Sequence, residues 1–309
     1  TVDHGAKGAA TVTAAAGGLR ATASFAIPEA LTSITIKHAG KNTALSSLRV
    51  AGGSTTELTA TGWYYGNKVY SADTSFTWSV SDALGTIDED GTFTAVQTGR
   101  DVTGTLTVTY GETSCPLPVT VGSSQPFDDT KGHWAESYIT ELYYAGTLQG
   151  SEKNGKLYYR PDASMTRQEF IVAMMRYLGT DLSAYASVQL PFDDSGSIAS
   201  WAKSAMQAAY QLGYLTGSKT NGKLLAKPGS TISRQEAMTI LSRTKDFADA
   251  DLNVLSAFSD SGKIADWART ALAQMTQQKI ISGSKGKLNP TGKVTRAEVA
   301  KMLYMLSES

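Results

Sequence analysis

The chain has one cysteine, Cys115, and three histidines, His4, His38 and His133. A single thiol excludes an internal disulfide and any cysteine-held cluster, and three scattered histidines argue against a histidine-held zinc. Neither fixes the redox compartment. Excess charge is also missing, since Lys and Arg number 28 and Asp and Glu number 28. Residues 1–125 carry 7 basic against 10 acidic residues, and 126–309 carry 21 against 18, so neither half is a basic platform for nucleic acid. No apolar run approaches the roughly 20 residues that span a bilayer, which argues against membrane insertion. The sequence opens on Thr1 with no initiator methionine and no signal-peptide pattern, as expected if a leader has been removed or the chain is a piece of something longer. At 309 residues there is material for two or three domains with real cores.

Thr, Ser, Val, Ala and Gly dominate residues 1–122, in short alternating runs without a sustained helical period, which predicts strands separated by turns. The clearest runs are 31–36, 56–60, 75–80, 91–95 and 105–109. Asp90-Gly91 is a hairpin-turn signal, and Trp78, in mid-strand, reads as a core residue. Residues 8–27 follow the plan of 106–121: two strands around glycine, here Gly17-Gly18. Residues 1–30 are therefore expected to be the terminal hairpin of a preceding β module, in a natural protein that extends N-terminally. That hairpin is either covered by packing or left as an exposed edge. Residues 31–122, with their opening Leu31–Ile36 strand, Trp78-Ser79-Val80, the Gly85–Ala95 stretch and closing strands, resemble the bacterial immunoglobulin-like (group 2) domains. The resemblance implies a spacer for an upstream module.

After a polar linker at 123–126 the period switches from two to about 3.6, and a pattern occurs three times. The copies hold Phe127, Asp129, Trp134, Gly150, Pro161 and Thr166-Arg167-Gln168-Glu169; then Phe192, Asp194, Trp201, Gly217, Pro228 and Ser233-Arg234-Gln235-Glu236; then Phe258, Asp260, Trp267, Gly283, Pro290 and Thr295-Arg296-Ala297-Glu298. Trp to Gly spans 16 positions and Pro to Arg 6 in every copy. Fixed internal spacing marks supersecondary units that pack on their copies. Each reads as helix, loop, helix, over 127–190, 191–257 and 258–309. Apolar stripes run through Trp134, Tyr138, Leu142 and Tyr143, through Phe170, Met174, Tyr177 and Leu178, and through Val299, Met302, Leu303 and Leu306.

Thr166, Ser233 and Thr295 with Glu169, Glu236 and Glu298 read as capping boxes. Arg167, Arg234 and Arg296 oppose the helix dipole at the first helical position. Two readings stand even: a carboxylate or phosphate held by the guanidinium and free helix N–H groups, or a salt bridge to an aspartate such as Asp129 or Asp194. Asp129, Asp194 and Asp260 are placed to cap the helix that follows. For the tryptophans, core is the favoured reading, and for Gly150, Gly217 and Gly283 a helix C-cap or turn. A sugar site would use the same parts: an aromatic face, an Asp for hydroxyls and an Arg for an acidic substituent.

The threefold pattern resembles the S-layer homology domain. The resemblance implies one all-α, pseudo-threefold unit with grooves between repeats, so that the whole chain would be multidomain α+β, with an all-β immunoglobulin-like sandwich ahead of it. It also implies a non-covalent anchor on the bacterial cell surface that binds a secondary cell-wall polysaccharide, often pyruvylated. The family's binding positions fall on Asp129, Trp134, Gly150 and Arg167, on Asp194, Trp201, Gly217 and Arg234, and on Asp260, Trp267, Gly283 and Arg296. The third copy departs from the pattern, with Lys279 opposite Gly146 and Gly213, Ser259 in Phe258-Ser259-Asp260, and a shorter loop before Pro290, so the third groove is expected to be altered or silent. No cofactor is implied. A surface lattice working through protein contacts is the alternative. A glycosidase using Asp128/Asp129 or Asp193/Asp194 is remote, because adjacent carboxylates rarely face one another across a sugar.

Overall fold

The computed structural model describes residues 8–27, 31–64, 67–69 and 76–307. Parts of the expected N-terminal hairpin module (1–7 and 28–30), the start of the run at 75, and residues 308–309 of the third repeat lie outside the described residues. The chain forms two compact units, Thr1–Ser124 and Gln125–Ser309.

The first unit is made of strands. β1 (Gly8–Ala16) and β2 (Leu19–Ile27) pair antiparallel as a two-stranded sheet of their own. Gly17 and Gly18 both have positive φ, which the tight turn between twisted strands requires. Residues 13–23, the turn end of this ribbon, are exposed. The rest builds two sheets around one core. β3 (Ser33–His38), β4 (Leu48–Ala51), β5 (Thr55–Tyr64), β6 (Asn67–Val69), β7 (Thr77–Val80), β8 (Gly85–Ile87), β9 (Thr92–Ala95), β10 (Val102–Tyr110) and β11 (Thr113–Gly122) follow in order. One sheet runs β4-β11-β10-β7 and the other β3-β5-β9-β8, with β6 on β5.

Alternation explains the core. Leu106 and Val108 on β10, and Leu117, Val119 and Val121 on β11, face Ile34, Ile36, Leu58 and Phe93 of the other sheet. Trp78 packs against this cluster but is only partly buried, at the flank rather than the centre. Pro116 and Pro118 fall on the stretch of β11 that β4 does not reach, since β4 pairs only with residues 119–122. There a missing N–H costs no ladder bond.

In the second unit each repeat has a first helix, a short hairpin and a second helix. Repeat 1 has α1 (Glu136–Tyr144), β12 (Ser151–Lys153), β13 (Lys156–Tyr158) and α2 (Arg167–Tyr177). Repeat 2 has α3 (Lys203–Gln211), β14 (Ser218–Thr220), β15 (Lys223–Leu225) and α4 (Arg234–Ser242). Repeat 3 has α5 (Asp266–Gln277), a single bridge Ser284↔Lys287, and α6 (Arg296–Ser307). The unit is thus helical but not all-α. The overlooked signals were Asn154-Gly155 and Asn221-Gly222, whose four residues all have positive φ, as Lys285-Gly286 do in the third copy.

Ala268, Ala271, Leu272 and Met275 on α5, and Val299, Met302, Leu303 and Leu306 on α6, are buried at i, i+3, i+4, i+7. The second helix of each repeat packs on the first helix of the next: α2 on α3, α4 on α5, and α6 back on α1. At the meeting point three backbone bonds close a ring. Met165 N–H donates to Val294 O, Val294 N–H to Ile232 O, and Ile232 N–H to Met165 O, at 3.1, 3.1 and 3.0 Å. All three repeats share one apolar core.

Candidate functional site

The second helices begin as expected, with capping boxes. Thr166, Ser233 and Thr295 N–H donate to Glu169, Glu236 and Glu298 Oε2 at 2.8, 2.8 and 2.9 Å. The next two N–H groups, however, are not free. Arg167 and Gln168 N–H donate to Ser230 and Pro228 O of the following repeat, Arg234 and Gln235 N–H to Gly292 and Pro290 O, and Arg296 and Ala297 N–H to Ala163 and Pro161 O. The backbone part of the expected anion site is consumed by the joints between repeats.

The arginines cross the same joints. Arg167 Nε donates to Ala226 O at 2.9 Å and Nη1 to Glu236 Oε1 at 2.7 Å. Arg234 repeats this with Leu288 O at 2.8 Å and Glu298 Oε1 at 2.6 Å. Each glutamate therefore caps its own helix with one oxygen and receives the previous repeat's guanidinium with the other. Arg296 differs: Nε donates to Tyr159 O at 2.7 Å, Nη2 to Gln149 O at 2.8 Å, and the guanidinium lies 4.4 Å from the Tyr159 ring centroid, without an ion pair to Glu169. The expected partners, Asp129 and Asp194, take no part. One terminal nitrogen of each guanidinium has no partner among the described residues, though Arg167 and Arg234 side chains are only 10% and 11% exposed.

The aspartates do not cap the following helix either. Both oxygens of Asp129 accept from Tyr159 and Arg160 N–H, at 2.8 and 2.7 Å. Asp194 does the same with Ala226 and Lys227, and Asp260 with Leu288 and Asn289. Arg160, Lys227 and Asn289 have φ of 58°, 52° and 51°, so each carboxylate fills a concavity of successive N–H groups around a left-handed residue. Burial pushes the Asp260 carboxyl up, but the N–H groups of Leu288 and Asn289 and the charge of Lys263 outweigh it and hold it below its ordinary value. Asp128 bonds Lys156 Nζ and Asp193 accepts from Leu224 N–H, so neither adjacent carboxylate pair is arranged as a free acid and base.

The glycines are not helix caps. Positive-φ residues just past the first helices are Gly146, Gly213 and Lys279. A Cβ on Gly150 would meet Phe127 Cε1 at 2.5 Å, on Gly217 Phe192 Cε1 at 2.6 Å, and on Gly283 Lys287 O at 2.5 Å. They let the hairpin close over the motif phenylalanine.

The tryptophans overturn the core reading. Trp134, Trp201 and Trp267 are 55%, 58% and 58% exposed, the first two just before the first helices of their repeats and the third in the first turn of α5. Gln168 and Gln235, unremarked in the sequence, position two of these turns, their Oε1 accepting from Ala199 and Ala265 N–H at 3.0 Å. Ala297 replaces the glutamine in the third copy. The Trp134 turn instead uses Gly132 N–H to Glu136, Ala135 N–H to His133 Nδ1, and His133 Nε2 against Asp162.

Each tryptophan overhangs a groove built from all three repeats. One groove, about 250 Å³, joins Trp201, Arg296, Gln149, Glu169 and Arg176. A second, about 360 Å³, joins Trp267, Arg167, Gly217, Glu236 and Arg243. The third, about 740 Å³, joins Trp134, Arg234, Gly283, Glu298 and Lys301. Gly150 lines none of the three, and the aspartates stand behind the walls. In the second groove, burial first and then the Arg167 charge lower the Arg243 guanidinium below its ordinary value. An aromatic face beside an incompletely partnered guanidinium suits an anionic, ring-shaped ligand. Arg176, Arg243 and Lys301 escaped the sequence reading because they lie outside the shared motif.

Residues 126–171, 191–238 and 257–300 match the S-layer homology domain family. Among characterised proteins, 207 residues (65% of this chain) are 28% identical to a part, 10%, of the amylopullulanase of Thermoanaerobacterium thermosulfurigenes. Over 243 residues (75%) the chain is 29% identical to 21% of the exoglucanase XynX of Acetivibrio thermocellus. Over 192 residues (59%) it is 32% identical to 15% of the surface-layer 125 kDa protein of Lysinibacillus sphaericus. The chain thus corresponds to about a tenth to a fifth of the length of these relatives.

Proposed function

Since residues 126–171, 191–238 and 257–300 are three S-layer homology repeats, we propose that the second unit is a non-catalytic, non-covalent anchor on the bacterial cell surface. Its ligand is an acidic secondary cell-wall polysaccharide, pyruvylated on this reading, held in grooves of a pseudo-threefold unit. The tryptophan takes a sugar face and the open guanidinium nitrogen takes the acidic group. The β unit, read as immunoglobulin-like, is a spacer for an upstream module. The enzymatic names among the relatives belong to proteins of which this chain matches a small part.

One observation carries the reading: three tryptophans, each more than half exposed, stand over grooves that each hold an arginine with an unpartnered nitrogen. Several modest sites on one unit gain retention on a polymer through effective concentration. Binding to purified sacculi, before and after chemical release of the secondary polymer, tests it with Trp134→Ala, Trp201→Ala and Trp267→Ala singly and together. Each change is expected to weaken its groove roughly tenfold, about 1.4 kcal/mol, with melting unchanged. Binding that survives polymer removal or the triple change refutes it.

The ion pairs of Arg167 and Arg234 with Glu236 and Glu298 favour a second reading, in which the arginines are internal struts and the surface works through protein contacts. Arginine substitutions that lower melting while leaving sacculus binding intact support that one.

A further inference from the structure

The three grooves share a plan but differ in where their second cation sits. In two of them it is Arg176 or Arg243, nine positions after the motif arginine, where α6 has Met305. In the largest groove it is Lys301, five positions after Arg296, where the other repeats have Val172 and Thr239. Lys301 therefore lies one helical turn beyond Glu298 on the same face of α6, close to the point where Arg234 docks. It is half buried and, among the described residues, has neither an ion pair with Glu298 nor a hydrogen-bond partner. Lys285 and Lys287, on the hairpin that Gly283 opens, add two exposed ammonium groups to the same wall, equally unpartnered.

A lysine that lines a groove without a protein partner leaves its charge available to an anion. Here it shares a 740 Å³ groove with an exposed indole and the open nitrogen of Arg234. Glu298 spends one oxygen on the cap and one on Arg234, so it does not neutralise the lysine. We infer that this groove takes a glycan segment carrying two anionic groups within one site, with Arg234 receiving one and Lys301 the other. On this inference the groove with the most divergent motif is not silent but takes a doubly charged segment. The inference rests on the anchor reading, since it assumes that the grooves bind wall glycan.

The test uses the full chain and soluble secondary wall polymer released from sacculi, measured by calorimetry at low and at high salt. Lys301→Thr, which copies the side chain of repeat 2, is expected to weaken binding about 3- to 10-fold at low salt and to flatten the salt dependence. Lys301→Arg restores both. Polymer with amidated carboxyl groups separates the sources of charge: a Lys301 effect that persists assigns the second group to phosphate, and one that disappears assigns it to carboxylate. Unchanged affinity and salt dependence in Lys301→Thr overturn the inference while leaving the anchor reading in place. So does a loss of binding that tracks lowered melting and is not restored by arginine. Failure of the wild-type chain to bind polymer overturns both.

Discussion

An indole left more than half exposed is a surface a folding chain would ordinarily cover, and this one leaves three in equivalent positions. The polar residues around them behave in the opposite way, because most of their capacity is already spent inside the protein. Asp260 shows this best. Its carboxylate accepts from two successive N–H groups and keeps Asn289 in a left-handed conformation, and its pKa lies below the ordinary value. A carboxyl whose folded pKa is below its unfolded value of about 3.9 contributes stability that is complete above that value and is lost as pH falls through the folded pKa. Urea unfolding from pH 7 downward should therefore show Asp260→Asn less stable than wild type at neutral pH, with the gap closing in acid. A gap independent of pH would mean that the charge is irrelevant. The identity of Asp260 as a special residue was legible in the sequence. Its role was not, because the N–H groups it holds are 28 and 29 positions away.

At the scale of elements, the second helix of each repeat serves as a connector. Its first two residues reach the neighbour in different ways: backbone N–H groups to the proline loop, the arginine to the hairpin end and, in repeats 1 and 2, the glutamine to the turn before tryptophan. Gln235→Ala removes the acceptor for Ala265 N–H and should cost about 1 kcal/mol of stability. It should also speed hydrogen exchange at that amide, while exchange within α4 stays slow. Unaltered exchange at Ala265 would show that the contact does not hold the turn. Helix periods and capping boxes were readable because their interactions span three or four residues. The small hairpins were equally local, and Asn154-Gly155 and Asn221-Gly222 marked them.

For the molecule as a whole, the decisive fact is that the repeats close on themselves. α6 covers α1, and Val294 supplies one of three bonds in the central ring, so no pair of repeats has all its apolar surface covered. A chain ending at Ala257 strips α1 of its neighbour and α4 of α5. Its repeat unit is expected to lose cooperative melting by circular dichroism, while the β unit, with its own core, keeps its strand signal. A sharp transition in the truncated repeats would refute the interlocked arrangement.

What the sequence by itself determined is therefore the repeat, its helices with their caps, the strand-rich first half, and the short set of residues around which each groove forms. Pattern and spacing reveal these because local hydrogen bonds and side-chain periodicity create them. The tertiary structure alone decided which of those residues face solvent and which are spent on joints. Tryptophan, arginine and aspartate recur in the same order in every copy, yet the first is exposed, the second half committed and the third fully bonded. Each groove draws its indole, its guanidinium and its wall from three different repeats, and only packing distant segments into a ring brings them together.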